Sequence, residues 1–469
     1  MKMNTQNQKG IMLIMAIILM AVLTSIAFAG LHFASGNLLQ SENNLSVTEA
    51  RMQTESGISY LVLLMKNTDI EGVKLDQDLL DAVATNLSEE LDWSPAMSGV
   101  SISYDGNTIT IPPISSQGTG SFQATVTIVD KGTIQLSVTG ASGSVTRWAA
   151  LKFQLVEKTS KAFSFGVASK GPIVMSGNAK VLGANDPEEA QCLSATYDTD
   201  EAFSLTGDCN ILGGISICNG SGYARLKGGV EVGGDEFKGL HTVDSEAVND
   251  EPEEYESFKI GIEDVEFPEI DSSIFEPFAV NVIDASTPTP ADATYNNIRI
   301  KANSNLTFNS NTTLNGVIYI ETPNNIRFNG NATINGVIVT QDAGDSLADS
   351  SAIVFLGTLS ARGVDYLPET SQFEELRKIR GTFLLAPGFI TEFGGNFGTI
   401  GGTIAAEKIM FTGNASGIIN GSIMSYGPEE LDLAGNSTII IDRSGCPDDV
   451  PGFSKVPTFE PVPNSYVEK

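Results

Sequence analysis

Histidine is nearly missing from this chain: only His32 and His241 occur in 469 residues. His32 lies in an apolar run. His241 lies in an acidic stretch with Asp244 nearby but no nucleophile beside it, so Ser-His-Asp chemistry is not expected. Cysteine is scarce too. Cys192, Cys209, Cys218 and Cys446 form no CxxC pair, which argues against a zinc site. Their even number suits disulfides in an exported chain, and a Cys192–Cys209 bridge closing a short insert is the expected pairing. Positive charge is in short supply, with 27 Lys and Arg against 57 Asp and Glu, a net charge of −30. Such a surface repels phosphate backbones, so no nucleic-acid partner is expected. The glycines of "GGNFGTIGG" (394–402) lack GxGxxG spacing and precede no helix, so they read as turn glycines. No cofactor, no metal and no enzymatic activity are expected.

Charge is also absent from residues 11–33. As a helix at 1.5 Å per residue this run spans about 35 Å, enough for a bilayer core of about 30 Å. Lys2 and Lys9 precede it and no Lys or Arg follows until Arg51, which keeps the N-terminus cytoplasmic and the bulk of the chain outside. Three fates are open: a leader cut after Gly10, a signal peptide cut after Ala29 within "AFAG", or an uncut anchor. The downstream sequence favours the first. "NLLQSENNLSVTEARMQTESGISYLVLLMKN" continues without proline, with Leu38, Leu45, Met52, Ile58, Leu61, Val62 and Met65 at helical spacing.

"QKGIMLIMAIILMAVLTSIAFAG" followed by "EARMQTESGISYLVLLM" resembles the N-terminus of type IV pilin-like proteins, in particular the PilX-type minor pilin group. There a basic residue and glycine precede the apolar helix, and a stretch containing E-[AS]-G-[IV], here Glu55-Ser56-Gly57-Ile58, closes it. The resemblance implies a prepilin peptidase cutting between Gly10 and Ile11, methylation of the new N-terminus, lipid around residues 11–33, other pilin subunits as partners, and a small α+β head. One residue departs from the pattern. The fifth mature position, glutamate in most pilins, is Met15. That carboxylate is thought to pair with a neighbouring subunit's amine in lipid, so a subunit lacking it is expected either to assemble first, at a filament tip, or not to assemble in the usual way.

Residues 72–92 hold a short helix candidate. Asp105-Gly106 and Lys131-Gly132 then separate alternating β-prone runs, as hairpins require. From about residue 163 a repeat begins: "IVMSGNAKVLG" (173–183), "FSLTGDCNILGGI" (203–215), "LTFNSNTTLNGVI" (306–318), "IRFNGNATINGVI" (326–338), "TEFGGNFGTIGGTI" (391–404), "IMFTGNASGIINGSI" (409–423) and "LDLAGNSTIII" (431–441). A 20-residue offset between Leu306 and Ile326, with short strands in each unit, predicts a right-handed parallel β-solenoid. Alternation places Leu306, Phe308, Phe328 and Ile334 inward and Thr307, Asn309 and Thr333 outward. Stacked asparagines suit hydrogen-bonded ladders, and the Gly-Asn pairs suit turns with a left-handed residue.

The fold class expected is mainly β. A leader and stem helix (1–66) precede a small α+β head (67–160) and a solenoid (161–445), with an acidic excursion (231–295) anchored by Phe267 and Ile270. The tail (446–469), rich in proline, is expected to lie extended outside any sheet. "FEELRKIR" (373–380) reads as a solvated insert. The function expected is that of a minor or tip subunit of a type IV pilus or pseudopilus, with an adhesive role and surface carbohydrate as a partner. The alternative is a secreted or anchored β-helix protein that binds or acts on polysaccharide. Lyases and hydrolases on that fold carry paired carboxylates on a rung face, where this chain has Thr, Asn and Ser.

Overall fold

The computed structural model describes residues 6–66, 76–93, 101–115, 120–342, 350–447 and 449–469, without the side chains of 6–11, 66, 76, 77, 90, 92 and 93. The chain divides into two compact units. One comprises residues 1–158 with 457–469, the other residues 159–456.

The first unit is helix on sheet. Helix α1 (Gln6–Lys66) continues unbroken from the apolar run into the amphipathic segment, about 90 Å in all. Residues 12–45 are exposed, whereas Ala50, Ile58, Leu61, Leu64 and Met65 are buried. Helix α2 (Asp76–Trp93) adds Leu79, Leu80, Val83, Leu87 and Leu91 to the same core. These side chains cover one face of an antiparallel sheet of β1 (Ser103–Tyr104), β2 (Thr108–Ser115), β3 (Gly120–Asp130), β4 (Thr133–Ser142) and β5 (Val145–Lys158). Strand β4 alternates strictly, with Ile134, Leu136 and Val138 fully buried, as a sheet with one covered face requires. Both predicted hairpin glycines, Gly106 and Gly132, have positive φ.

The proline-rich tail departs from expectation. Val456–Pro461 and Val467–Glu468 are strands that pair with β5, and Phe459 is buried in the head core. Prolines exclude a strand from the middle of a sheet, but here they sit at its margin, where fewer amides must donate.

The second unit is a parallel β-solenoid of three faces. A typical turn of the chain passes Val167–Ser169 on the first face, Ile173–Gly177 on the second and Lys180–Gly183 on the third. Cys192–Ser194, Glu201–Gly207 and Asn210–Ile211 then stack on these in parallel register. The inward alternation holds: Phe328 and Ile334 are buried while Thr333 is partly exposed. Residues at equivalent positions form columns through the core. One runs Phe308, Phe328, Phe355, Phe393 and Phe411, with successive rings stacked nearly parallel and their centroids 4.9, 5.0, 5.2 and 5.1 Å apart. The same column continues as Leu433, Met175, Leu205 and Leu226. Asparagine ladders flank it: Asn335 donates to Asn315 and Asn315 to Asn296, both at 2.9 Å. At one corner Gly435, Gly177, Gly207 and Gly228 all have positive φ, and a Cβ on Gly207 would lie 2.3 Å from the carbonyl oxygen of Gly177.

The order of the turns is not the order of the sequence. From residue 167 the chain winds to Phe258–Ile260, and an antiparallel hairpin (Tyr223–Val232 with Asp235–Val243) ends the stack there. Residues 261–280 return along the outside of the first face to the opposite end. Winding resumes at Asn281–Ile283 and proceeds back until Ile423–Ser425, Leu431–Leu433 and Thr438–Ile441 dock on the starting turn at 167–183. Residues 231–295 are therefore not one excursion: only about a third of them leave the stack, and the remainder supplies strands and an end hairpin. Phe267 is buried as expected, in edge-to-face contact with Tyr426. The insert at 373–380 is likewise more than a solvated loop, since Phe373 and Leu376 are fully buried against the first face.

Candidate functional site: an exposed stem and an open polar face

Two surfaces have the character of functional sites. The first is the N-terminal part of α1. Met12, Leu13, Ile14, Met15, Ile17 and Ile18 are all more than half exposed, Met15 at 67%. A helix this long and apolar meets the requirement for crossing a membrane. Gly10 and Ile11 lie within the helix, and their side chains are outside those described.

The closing motif of the stem acts where helix meets sheet. A Cβ on Gly57 would lie 2.7 Å from the Phe122 ring, and one on Gly140 would lie 2.3 Å from the carbonyl oxygen of Ala50, so two glycines set the close approach. Thr54 Oγ1 donates to the carbonyl of Ala50 and accepts from the Gly140 amide at 3.1 Å, and Ser142 donates to Glu49 at 2.6 Å. Glu55 instead points outward and pairs with Arg51 at 2.9 Å. The sequence signalled the glycine. Thr54 gave no signal, because a mid-helix threonine looks like any other until a strand edge is beside it.

The second surface is the third face of the solenoid over the turns at 293–335. Thr294, Thr313 and Thr333 share one column, and Asn296, Asn315 and Asn335 the next. Asn309 with Asn329, and Asp292 with Asn311 and Asn331, extend the ladders around the corner at 2.8 to 3.2 Å. The outer side of the first face, by contrast, is covered. Val317, Tyr319, Val339, Leu385 and Met424 lie beneath the return strap, the insert and residues 450–453.

His241 Nε2 lies 3.0 Å from the carbonyl oxygen of Lys238, and Asp244 caps a helical turn by accepting from the Ala247 amide, so the two are not brought together. Among the described residues no His, Cys, Asp and Glu are grouped to hold a metal. A cavity of about 450 Å³ lies at the insert, but its cations are spoken for: Arg377 by Glu369, Lys378 by Glu375 and Arg380 by Asp365, at 3.3, 2.6 and 2.7 Å.

The expected Cys192–Cys209 disulfide is not formed, and all four cysteines are free thiols. Cys192 sits in a first-face strand between Val167 and Ile215, whereas Cys209 lies at the corner between the second and third faces. Winding of the chain separates what the sequence places close together. Complete burial pushes the Cys192 thiol up to about 12, so it packs as a small apolar side chain.

No family model matches the chain, and no curated protein does. Among solved structures it is similar to the competence-associated pilin ComZ of Thermus thermophilus, over 90% of this chain and 97% of that one. The identity is 11% and the TM-score 0.25, a level at which no shared fold is established.

Proposed function

We propose that this chain is a membrane-anchored subunit of a type IV pilus or related pseudopilus that carries its solenoid outside the cytoplasmic membrane. One observation carries the reading: a single helix whose first part is exposed and apolar and whose second part is buried on an antiparallel sheet. That division suits lipid, or other stem helices, around the first part. In this reading prepilin peptidase cuts between Gly10 and Ile11, the N-terminus faces the cytoplasm, and the solenoid serves as a display body rather than an enzyme. Met15 in place of the usual glutamate, together with a bulky solenoid, favours a minor subunit at the tip.

Mass spectrometry of the mature protein tests this. A start at Ile11, N-methylated, is expected; a start at Gly30 or an intact Met1 contradicts it. Immunogold labelling of sheared filaments should mark tips, and even decoration of shafts rejects the tip assignment. A second reading, attachment to a neutral polysaccharide, is favoured by the column of Thr294, Thr313 and Thr333 on the third face, whose accessible hydroxyls repeat at the spacing of the stacked strands. Retention on immobilised neutral glycans, lost in a Thr313→Asp/Thr333→Asp variant, is the expected result.

A further inference from the structure

The C-terminal segment touches the molecule in three places, and each time it supplies something otherwise missing. First, its turn at 423–441 is the upper neighbour of the starting turn at 167–183. The Lys170 amide donates to Ser425, Asn178 to Gly435, Lys180 to Ser437 and Ala184 to Ile441, all between 2.7 and 2.9 Å. No chain continuity crosses this seam, so the solenoid consists of two separately wound stacks joined edge to edge. Second, residues 452–454 lock the return strap. Ile270 bridges Phe453, the Asp271 amide donates to Gly452 and the Ser454 amide to Glu269. Third, Val456–Pro461 and Val467–Glu468 complete the head sheet on β5, where Trp148 and Lys469 exchange backbone hydrogen bonds at 3.1 and 2.8 Å.

Sequence separation sets these contacts apart. Successive turns pair residues 20 apart, as Asn329 with Asn309. The seam pairs residues 258 apart, as Asn178 with Asn436, and the head edge pairs Lys152 with Ser465, 313 apart. Closing long loops costs chain entropy before any contact repays it, so local winding precedes distant docking. We infer that residues 423–469, whose first turn is wound on the long stack through Ile404 with Ile423 and Ser416 with Thr438, act as one closing clasp: its distant contacts form last and complete seam, strap and head sheet together. A chain whose residues 423–469 have not docked then holds two unpaired edges, β5 and the strands at 167–183. Docking of this one segment shuts both.

Hydrogen exchange on the full-length protein tests this, first by pulse labelling during refolding. The amides of Lys170, Lys180 and Leu431 at the seam, Asp271 and Ser454 at the strap, and Trp148 and Lys469 at the head edge should gain protection at one common rate. That rate should be slower, by at least about tenfold, than for Arg327, Asn329 and Thr412 within the long stack. The native protein in low denaturant should show the same three sets opening together, ahead of the stack. Leu433→Ala, at the seam, should accelerate exchange in all three sets and leave Arg327 and Thr412 unchanged. Seam amides protected as early as those of the stack, or acceleration confined to the seam, would overturn the clasp.

Discussion

The head and the solenoid both obey β alternation, yet they specify their cores differently. In the head the residues where stem meets sheet find partners of another kind: Gly57 meets Phe122, Thr54 meets Gly140, and Leu61 meets the sheet. In the solenoid each buried residue meets its own counterpart one turn above and below, as Phe328 meets Phe308 and Phe355. A head residue is thus set by a single fit, a solenoid residue by its column.

That contrast can be broken most violently in a column. Ile334 lies fully buried between Leu314 and Ala361, so Ile334→Asp leaves a charge with no partner and should cost on the order of 5 kcal/mol. Thr333→Asp, one residue away on the open side, should change the melting temperature little. Equal losses would mean that column identity does not govern the core. A finer comparison sits within one column. Phe355→Ala should cost about 4 kcal/mol and Leu205→Ala about 3, because Phe355 also loses two stacked neighbours, each pair worth about 1. Denaturant titration of the two variants measures the difference.

The head should answer to fit instead. Gly57→Ala forces a methyl group to within 2.7 Å of Phe122 and should cost about 2 kcal/mol, seen as faster exchange of β3 and β4 amides. In the solenoid, Thr391 interrupts an apolar column between Ile353 and Ile409, and its buried hydroxyl has no hydrogen-bond partner among the described residues. Thr391→Val should therefore stabilise by about 1 kcal/mol. The smallest effect concerns the outer side of the second face. Burial, then Glu430, holds the Asp432 carboxyl above its ordinary range. A carboxyl raised in the folded state favours folding while protonated. That contribution is complete below the ordinary aspartate value and is lost as pH rises through the raised one. Asp432→Asn should accordingly raise the melting temperature slightly at pH 7 and not in strong acid. A lower value at pH 7 would show that attraction to Lys408 outweighs burial.

Legibility followed the same divide. The turns at 306–338 could be read because a column repeats its residue type at a fixed offset, so Phe308 and Phe328 announce each other. The stem could be read because lipid and a sheet demand different patterns along one helix. The seam left no mark. Leu433 and Met175 are ordinary column residues, and nothing in either tells which other turn will lie against it. The tail misled because Pro457, Pro461 and Pro463 exclude a central strand but permit a marginal one. The cysteines misled because short sequence separation implies proximity in a loop, not in a chain that turns a corner every few residues. Of the candidate site, the apolar stem and the Thr/Asn face were visible in the sequence, whereas the covering of the first face was not.

The chain passes between its two units twice, at 158–159 and again at 456–457. A pulling force on the solenoid therefore reaches the head through two covalent leads, at the end of β5 and at the start of its neighbour Val456–Pro461. The β4–β5 ladder from Thr133 to Ser142 ties β5 into the rest of the head sheet, so load entering by that lead is spread over a run of bonds that each contribute only about 1 kcal/mol. A second lead lets the load divide before it enters the sheet.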